Sequence, residues 1–129
     1  DHSIDLAPAL KTLRDEVDKL LYEEGFNTSS ITEMASKLKA DPESIHEALS
    51  YMLNAKEVVR VEEDIYFHSK RIEEAREKLV SYLNKNEKIT VSQFKDLLHG
   101  ASRKYALPLL IHFDSVGLTE RDGDVRILR

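Results

Sequence analysis

Four basic residues stand at two places where a chain of this kind could hold an anion. Arg103 and Lys104 open a helical pattern that begins at Ser102, and Arg121 and Arg126 flank an Asp122-Gly123 turn. The helix macrodipole disfavours cations at a helix N-terminus, so stability alone would put acids there. An anion such as a phosphate, seated on the unpaired N–H groups, reverses that preference. Ser102 can cap the helix, its hydroxyl accepting from a backbone N–H two or three residues on. Each pair also has an ordinary explanation. Arg103 and Lys104 can be solvated surface bases, and Arg121 and Arg126 can be charges that keep an edge strand from pairing with a neighbour. If the fold brings both pairs to one surface, they form a bent patch suited to a phosphate backbone. Gln93 and Lys95 on the preceding helix would then add rim contacts, and Gly123 would permit close approach.

Other chemistry finds little support. The carboxylates at Asp15-Glu16, Glu23-Glu24, Glu62-Glu63-Asp64 and Glu73-Glu74 fall on the solvent side of helical patterns or in a turn. The five histidines make no pair with metal-ligand spacing, and the absence of cysteine excludes disulfides and thiolate sites. Gly25, Gly100, Gly117 and Gly123 each fall at an element boundary, so no glycine loop cradles a phosphate. We expect no catalytic residue, no metal and no cofactor. No apolar run approaches the ~20 residues of a membrane span, and no signal-peptide pattern opens the chain. A cytoplasmic location without membrane contact is expected. The chain begins at Asp1 rather than Met, which suggests a piece of something longer.

The net charge of −5 hides a division. Residues 1–68 hold 7 Lys and Arg against 15 Asp and Glu, a balance of −8, whereas residues 69–129 hold 12 against 9, a balance of +3. Such a split points to different partners for the two halves.

The elements that would position the bases are legible from hydrophobic spacing. Leu6, Ala9, Leu10, Leu13, Val17, Leu20 and Leu21 share one face of a helix that Gly25 can stop. Phe26 then reads as a buried anchor. Ser30-Ile31-Thr32 reads as a short extended step, with Thr32 capping a second helix. Asp41-Pro42-Glu43 restarts the chain with a cap, a proline at the first helical position and an acid in the first turn. Ile45, Ala48, Leu49, Met52 and Leu53 form the stripe of this third helix. Val58–Val61 and Ile65–Phe67, joined through Glu62-Glu63-Asp64, form a hairpin.

This order is the winged-helix variant of helix-turn-helix. It repeats at an offset of about 58 to 60 residues. Ser69 caps a helix over 70–84, Lys88-Ile89-Thr90 mirrors Ser30-Ile31-Thr32, and residues 91–98 mirror the second helix. Ala106, Leu107, Leu110, Ile111, Phe113 and Val116 form the buried stripe of the third, with Pro108 interrupting its hydrogen bonds. The expected fold class is mainly α with small β-hairpins: two tandem winged-helix modules, 1–68 and 69–129. The first has its own core and an acidic outer face, fitting a spacer or protein-facing element. The second is the nucleic-acid-binding one. Only His68-Ser69 joins them, so their orientation should be restricted.

The run Ser102-Arg103-Lys104-Tyr105-Ala106-Leu107-Pro108-Leu109-Leu110 resembles the end of the SelB family of bacterial selenocysteine-specific elongation factors. The likeness continues through His112-Phe113-Asp114, Gly117-Leu118-Thr119 and Arg121-Asp122-Gly123-Asp124, and is densest over about 88–128, where it includes Ile89-Thr90 and Gln93-Phe94. The resemblance implies a fragment of a translation elongation factor, a protein of protein biosynthesis. Its last winged helix would bind the apical loop of the selenocysteine insertion (SECIS) mRNA hairpin and direct selenocysteine incorporation at UGA. Arg103, Lys104, Arg121 and Arg126 match the family's basic helix start and wing, and Ser102 and Gly123 would bring backbone donors to the RNA. GTP binding, the ribosome and selenocysteinyl-tRNA would involve parts of the parent protein that have no counterpart in these residues. The chain departs from the family pattern at Glu120, often basic there, and at His112, often acidic.

Two other readings stay open on the residues alone. One is a DNA-binding winged-helix transcription regulator, which would be expected to dimerise on twofold half-sites. No dimerisation helix is evident beyond the modules, and a monomer is expected. The other is a winged-helix protein-interaction module, which the acidic first half would suit.

Overall fold

The computed structural model describes residues 7–129, so Leu6 lies outside the described residues. The elements run α1 (Pro8–Glu24), α2 (Ile31–Leu38), α3 (Pro42–Asn54), β1 (Val58–Glu62), β2 (Ile65–His68), α4 (Ser69–Asn86), α5 (Val91–Leu97), α6 (Arg103–Ser115), β3 (Thr119–Asp122) and β4 (Val125–Leu128). β1 pairs with β2 and β3 with β4, each antiparallel. The fold is mainly helical with two small hairpins, and winged-helix-like.

Local chemistry sets the element ends, in several places one residue or two from the sequence expectation. α1 stops at Gly25, whose φ of 66° suits glycine and whose N–H donates to the Leu21 carbonyl at 3.2 Å. α2 and α5 each begin in a reciprocal capping box, Ser30 with Glu33 and Thr90 with Gln93. Thr32 is therefore inside α2 rather than its cap. No strand forms at Ser30–Thr32, and in the second half Ile89 makes a lone bridge to Arg126. Asp41 precedes α3 but its carboxylate makes no capping bond to the backbone; the Ser44 hydroxyl lies 3.5 Å from it. His68 rather than Ser69 caps α4: its Nδ1 accepts from the Lys70 N–H at 3.0 Å, while the Ser69 hydroxyl donates to the Lys56 carbonyl.

The two halves superpose in sequence at 60 to 61 residues. Ile45, Ala48, Leu49 and Met52, buried on α3, correspond at 61 to Ala106, Leu109, Leu110 and Phe113, buried on α6. The caps Ser30 and Thr90 correspond at 60. The offset of 58 that equates Ala48-Leu49 with Ala106-Leu107 is a chance match of small and apolar residues. The stripe read from spacing on α6 is likewise too wide: Ile111 and Val116 are 51% and 61% exposed, and Leu107 is only half-buried.

Successive residues of a strand face opposite sides, and the first hairpin uses both of its sides. Val58 and Tyr66 pack with Leu13, Val17, Leu21, Met34 and Leu49 in one apolar cluster. Ile65 and Phe67, with Phe26 beside them, pack into a second cluster among Leu79, Phe94, Ala106 and Leu110. The first half encloses a core of its own, as its stripes imply, and in addition lends the other face of its hairpin to the second cluster. Its ribbon is shared, because a strand apolar on alternating and intervening positions can be buried on both faces.

Polar contacts reinforce this joint. The Tyr105 hydroxyl donates to the Thr28 carbonyl at 2.7 Å, and the Ser102 N–H to Asn27 Oδ1 at 3.3 Å. Arg71 stacks 4.0 Å above the Tyr22 ring and donates to the Tyr22 carbonyl, and His68 Nε2 lies 2.9 Å from Asp18.

Candidate nucleic-acid interface

The fold places α6, the start of α5 and the second hairpin around one cleft of about 480 Å³. α6 contributes Arg103, Leu107 and Ile111, four residues apart and so on one helical face. The start of α5 contributes Thr90, Val91 and Ser92, and the hairpin contributes Arg121, Asp124 and Arg126. α6 thus carries two apolar stripes. One, through Ala106, Leu109, Leu110 and Phe113, faces the core. The other, through Leu107 and Ile111, floors the cleft. α6 runs unbroken through Pro108, which is buried. Proline has no N–H, so the Lys104 carbonyl lacks its usual helical donor.

The expected site residues divide. Arg103 and Arg121 are exposed and line the cleft, and the Arg121 guanidinium folds back to donate from Nε to the Gly123 carbonyl at 2.8 Å. Arg126 also lines the cleft, but it is not the exposed wing base that the sequence suggested. Its side chain is 6% exposed and lies 3.0 Å from Asp114. The alternation of β4 turns it inward, toward the end of α6.

Ser102 is the N-cap of α6 but makes no side-chain capping bond, and its N–H is directed to Asn27 rather than to solvent. Lys104 is exposed and does not line the cleft; its ammonium lies 5.3 Å from the Tyr105 ring. The Glu33 carboxyl is held below its ordinary value, chiefly by hydrogen bonds from Ser30 and to a smaller degree by Lys104.

Gln93 is engaged in the α5 capping box, and Lys95, one turn beyond Val91 and Ser92, is half-buried away from the cleft lining. Gly123, at φ 64°, forms the turn with Asp124, one residue later than the expected Asp122-Gly123 turn. The residues missed in the sequence are Leu107, Ile111, Thr90, Asp124 and Asp114. The signal for the first two was present: a helix that is apolar on more than one face has a second surface to cover.

Among the described residues, no group of three or more His, Asp or Glu is placed to hold a metal ion. No helix of the described residues is long and apolar enough to cross a membrane.

Residues 81–128 match the family model described as "Elongation factor SelB, winged helix". The resemblance read over 88–128 is thus shown on that same stretch. The whole chain is similar in structure to the mRNA-binding domain of elongation factor SelB from E. coli, solved in complex with SECIS RNA. The identity is 21% and the TM-score 0.82, with 96% of this chain and 99% of that one covered. It is also similar to the bacterial selenocysteine-specific elongation factor EF-Sec, at 23% identity and a TM-score of 0.70. That match covers 98% of this chain and 20% of the other, so the chain spans about a fifth of the length of that factor. Comparison with curated proteins gave no match. At these identities the structural likeness speaks to the fold.

Proposed function

We propose that the chain is a pair of tandem winged-helix modules, 1–68 and 69–129, whose second member binds the apical loop of a SECIS-type mRNA hairpin. The observation that carries this reading is the cleft between α6 and the second hairpin. Two exposed arginines, Arg103 and Arg121, line it together with the apolar Leu107 and Ile111, and the buried Arg126 stands in its wall beside Asp114. RNA loops are recognised through unstacked bases and backbone shape. A basic rim around an apolar floor offers one surface to each: guanidinium groups for phosphate, aliphatic side chains for a base face. The SECIS RNA held by the similar E. coli domain supports the choice of ligand.

On this reading the chain is a non-enzymatic, RNA-binding part of a selenocysteine-specific translation elongation factor, acting as a monomer in the cytoplasm. GTP hydrolysis and contacts with the ribosome and selenocysteinyl-tRNA belong to portions of such a factor outside these 129 residues. The first module serves as a spacer or protein-facing element. Arg103 and Arg121 carry the phosphates of the loop; Ser102, Lys104, Gln93, Lys95 and Gly123 stand at the margin of the contact.

The test is a titration against a SECIS hairpin, a loop-scrambled hairpin and a DNA duplex at two salt concentrations. Tight, loop-dependent binding is expected. Equal weak binding to all three would reduce the site to a basic patch, and preference for the duplex would favour a DNA regulator.

A further inference from the structure

We propose that Asp114 is a positioning residue of the RNA site. It fixes Arg126 so that this one guanidinium reads a base edge of the loop, while the exposed bases carry the phosphates. The inference rests on the RNA-binding reading above.

Asp114 lies in the last turn of α6, where the macrodipole disfavours an acid. Both of its oxygens are engaged. Oδ2 accepts from Arg126 Nε at 3.2 Å and from Nη2 at 3.0 Å, and Oδ1 accepts from the Thr119 hydroxyl at 2.7 Å. The backbone of Arg126 is held as well, exchanging hydrogen bonds with Ile89 at 2.9 and 3.0 Å. Nη1 bonds to no described residue, and the opening that Arg126 lines is the cleft.

The molecule contains its own control for a purely structural role. At offsets of 60 to 61, Arg126, Thr119 and Asp114 correspond to Tyr66, Val58 and Leu53. Those three belong to one apolar cluster, with Tyr66 at the same place in its hairpin as Arg126. The fold closes this position without any charged group, and a buried ion pair generally holds a fold no better than such an apolar contact. The polar trio appears in the half that has the cleft.

Its chemistry suits discrimination rather than attraction. Paired with Asp114, Arg126 is neutral as a unit and adds little to the field that draws phosphate. Its guanidinium is already ordered, so little side-chain freedom is lost on binding. With Nε and one Nη2 hydrogen held by Asp114, the remaining N–H groups on Nη1 and Nη2 lie in a fixed plane, a fork that can meet acceptors on a base edge.

The experiment compares the chain and its variants on a SECIS hairpin and a loop-scrambled hairpin at two salt concentrations, with thermal melts to confirm folding. In Asp114→Asn the preference for the SECIS loop should fall about tenfold. Its salt slope should not fall, and affinity for the scrambled hairpin should be equal or higher, because a negative charge is gone. Arg126→Lys, which keeps the charge and loses the fork, should show the same loss of preference. An Asp114→Asn chain that keeps the wild-type preference, or that loses the same factor on both hairpins, overturns the inference while leaving the RNA reading intact. A wild-type chain that binds both hairpins alike overturns the RNA reading and this inference with it. Should Asp114→Asn fail to fold, Thr119→Val carries the test. It removes one hydroxyl and no charge; a smaller fall in preference supports the inference, and none overturns it.

Discussion

The two halves of the molecule are built from the same elements and differ in what fills the space between wing and helices. In the first half Asp64, in the hairpin turn, reaches the start of α2 and accepts from the Ile31 N–H at 3.0 Å. In the second half the corresponding residues, Asp124 and Val91, stand on opposite sides of an open cleft. The helix that follows differs in the same sense. α3 presents Pro42, His46 and Ser50 where α6 presents Arg103, Leu107 and Ile111. One hairpin is also closed on both faces by the two helical clusters, whereas the other leaves one face to solvent. One half thus ties its hairpin turn to the start of α2, and the other keeps a cleft there lined with bases. On the proposed RNA-binding reading, the site arises where this set of elements leaves a space unfilled, and changes at a few positions separate the two halves.

The largest expected effect tests whether the joint is shared. Phe67 belongs to the first half but is fully buried in the cluster of the second. Phe67→Ala should cost about 3–5 kcal/mol, as for other buried aromatic truncations, and lower the stability of both halves together. Urea unfolding followed by probes in each half should give one coincident transition. Two separated transitions in the parent chain would show the halves to be independent and the comparison to be one of two domains.

Next in size are the bases. Arg103→Ala should weaken SECIS-hairpin binding by about 1–3 kcal/mol. Arg60→Ala, at the first-half position equivalent to Arg121, should change it by almost nothing. Arg60 makes the same kind of contact as Arg121, donating from Nε to a turn carbonyl, that of Glu63 at 3.2 Å. Equal losses from the two substitutions would place the RNA on both halves and remove the distinction. A smaller effect belongs to the clasp between them. Tyr105→Phe leaves the Thr28 carbonyl without its donor and should cost about 1 kcal/mol of stability, with the RNA dissociation constant unchanged. A matching loss of RNA affinity would make the joint part of the binding surface.

Much of this architecture could be read from spacing and end signals. The buried stripes of α1 and α3, the proline at the first position of α3 and the stop at Gly25 follow from local chemistry that no distant contact overrides. The site was less legible. Arg103 and Arg121 were found by charge at a helix start and a turn, but the burial of Arg126 depends on Asp114, 12 residues earlier, which only the packed hairpin brings to it. Leu107 and Ile111 share the three- and four-residue spacing of a buried stripe, yet they line the cleft. Apolar residues on a helix do not declare whether they face a core or a cleft. The sharing of Phe67 between halves was hidden for a similar reason: alternation tells which residues of a strand share a face, and says nothing of what covers each one.

The smallest expected effect concerns His112, whose equivalent position in the first half is held by Tyr51 rather than by a histidine. Half-buried against Phe113, its imidazole is pushed below its ordinary value by burial, which penalises the charged form. The unfolded chain, with a histidine of ordinary pKa of about 6.5, takes up a proton before the folded chain does. The contribution of His112 to stability is therefore complete above that pH and is lost as pH falls from it toward the depressed folded value. Glu33 also sits below its ordinary 4.5, so its contribution is lost in a separate, more acidic window. Urea midpoints measured at pH 8 and pH 5 should fall with acidification in the parent chain, and His112→Gln should flatten that fall without altering the behaviour below pH 4.5. An unchanged slope in the variant would mean that His112 is solvated and titrates as in a free peptide. The pH response would then belong to groups the two halves share, and not to the half that carries the cleft.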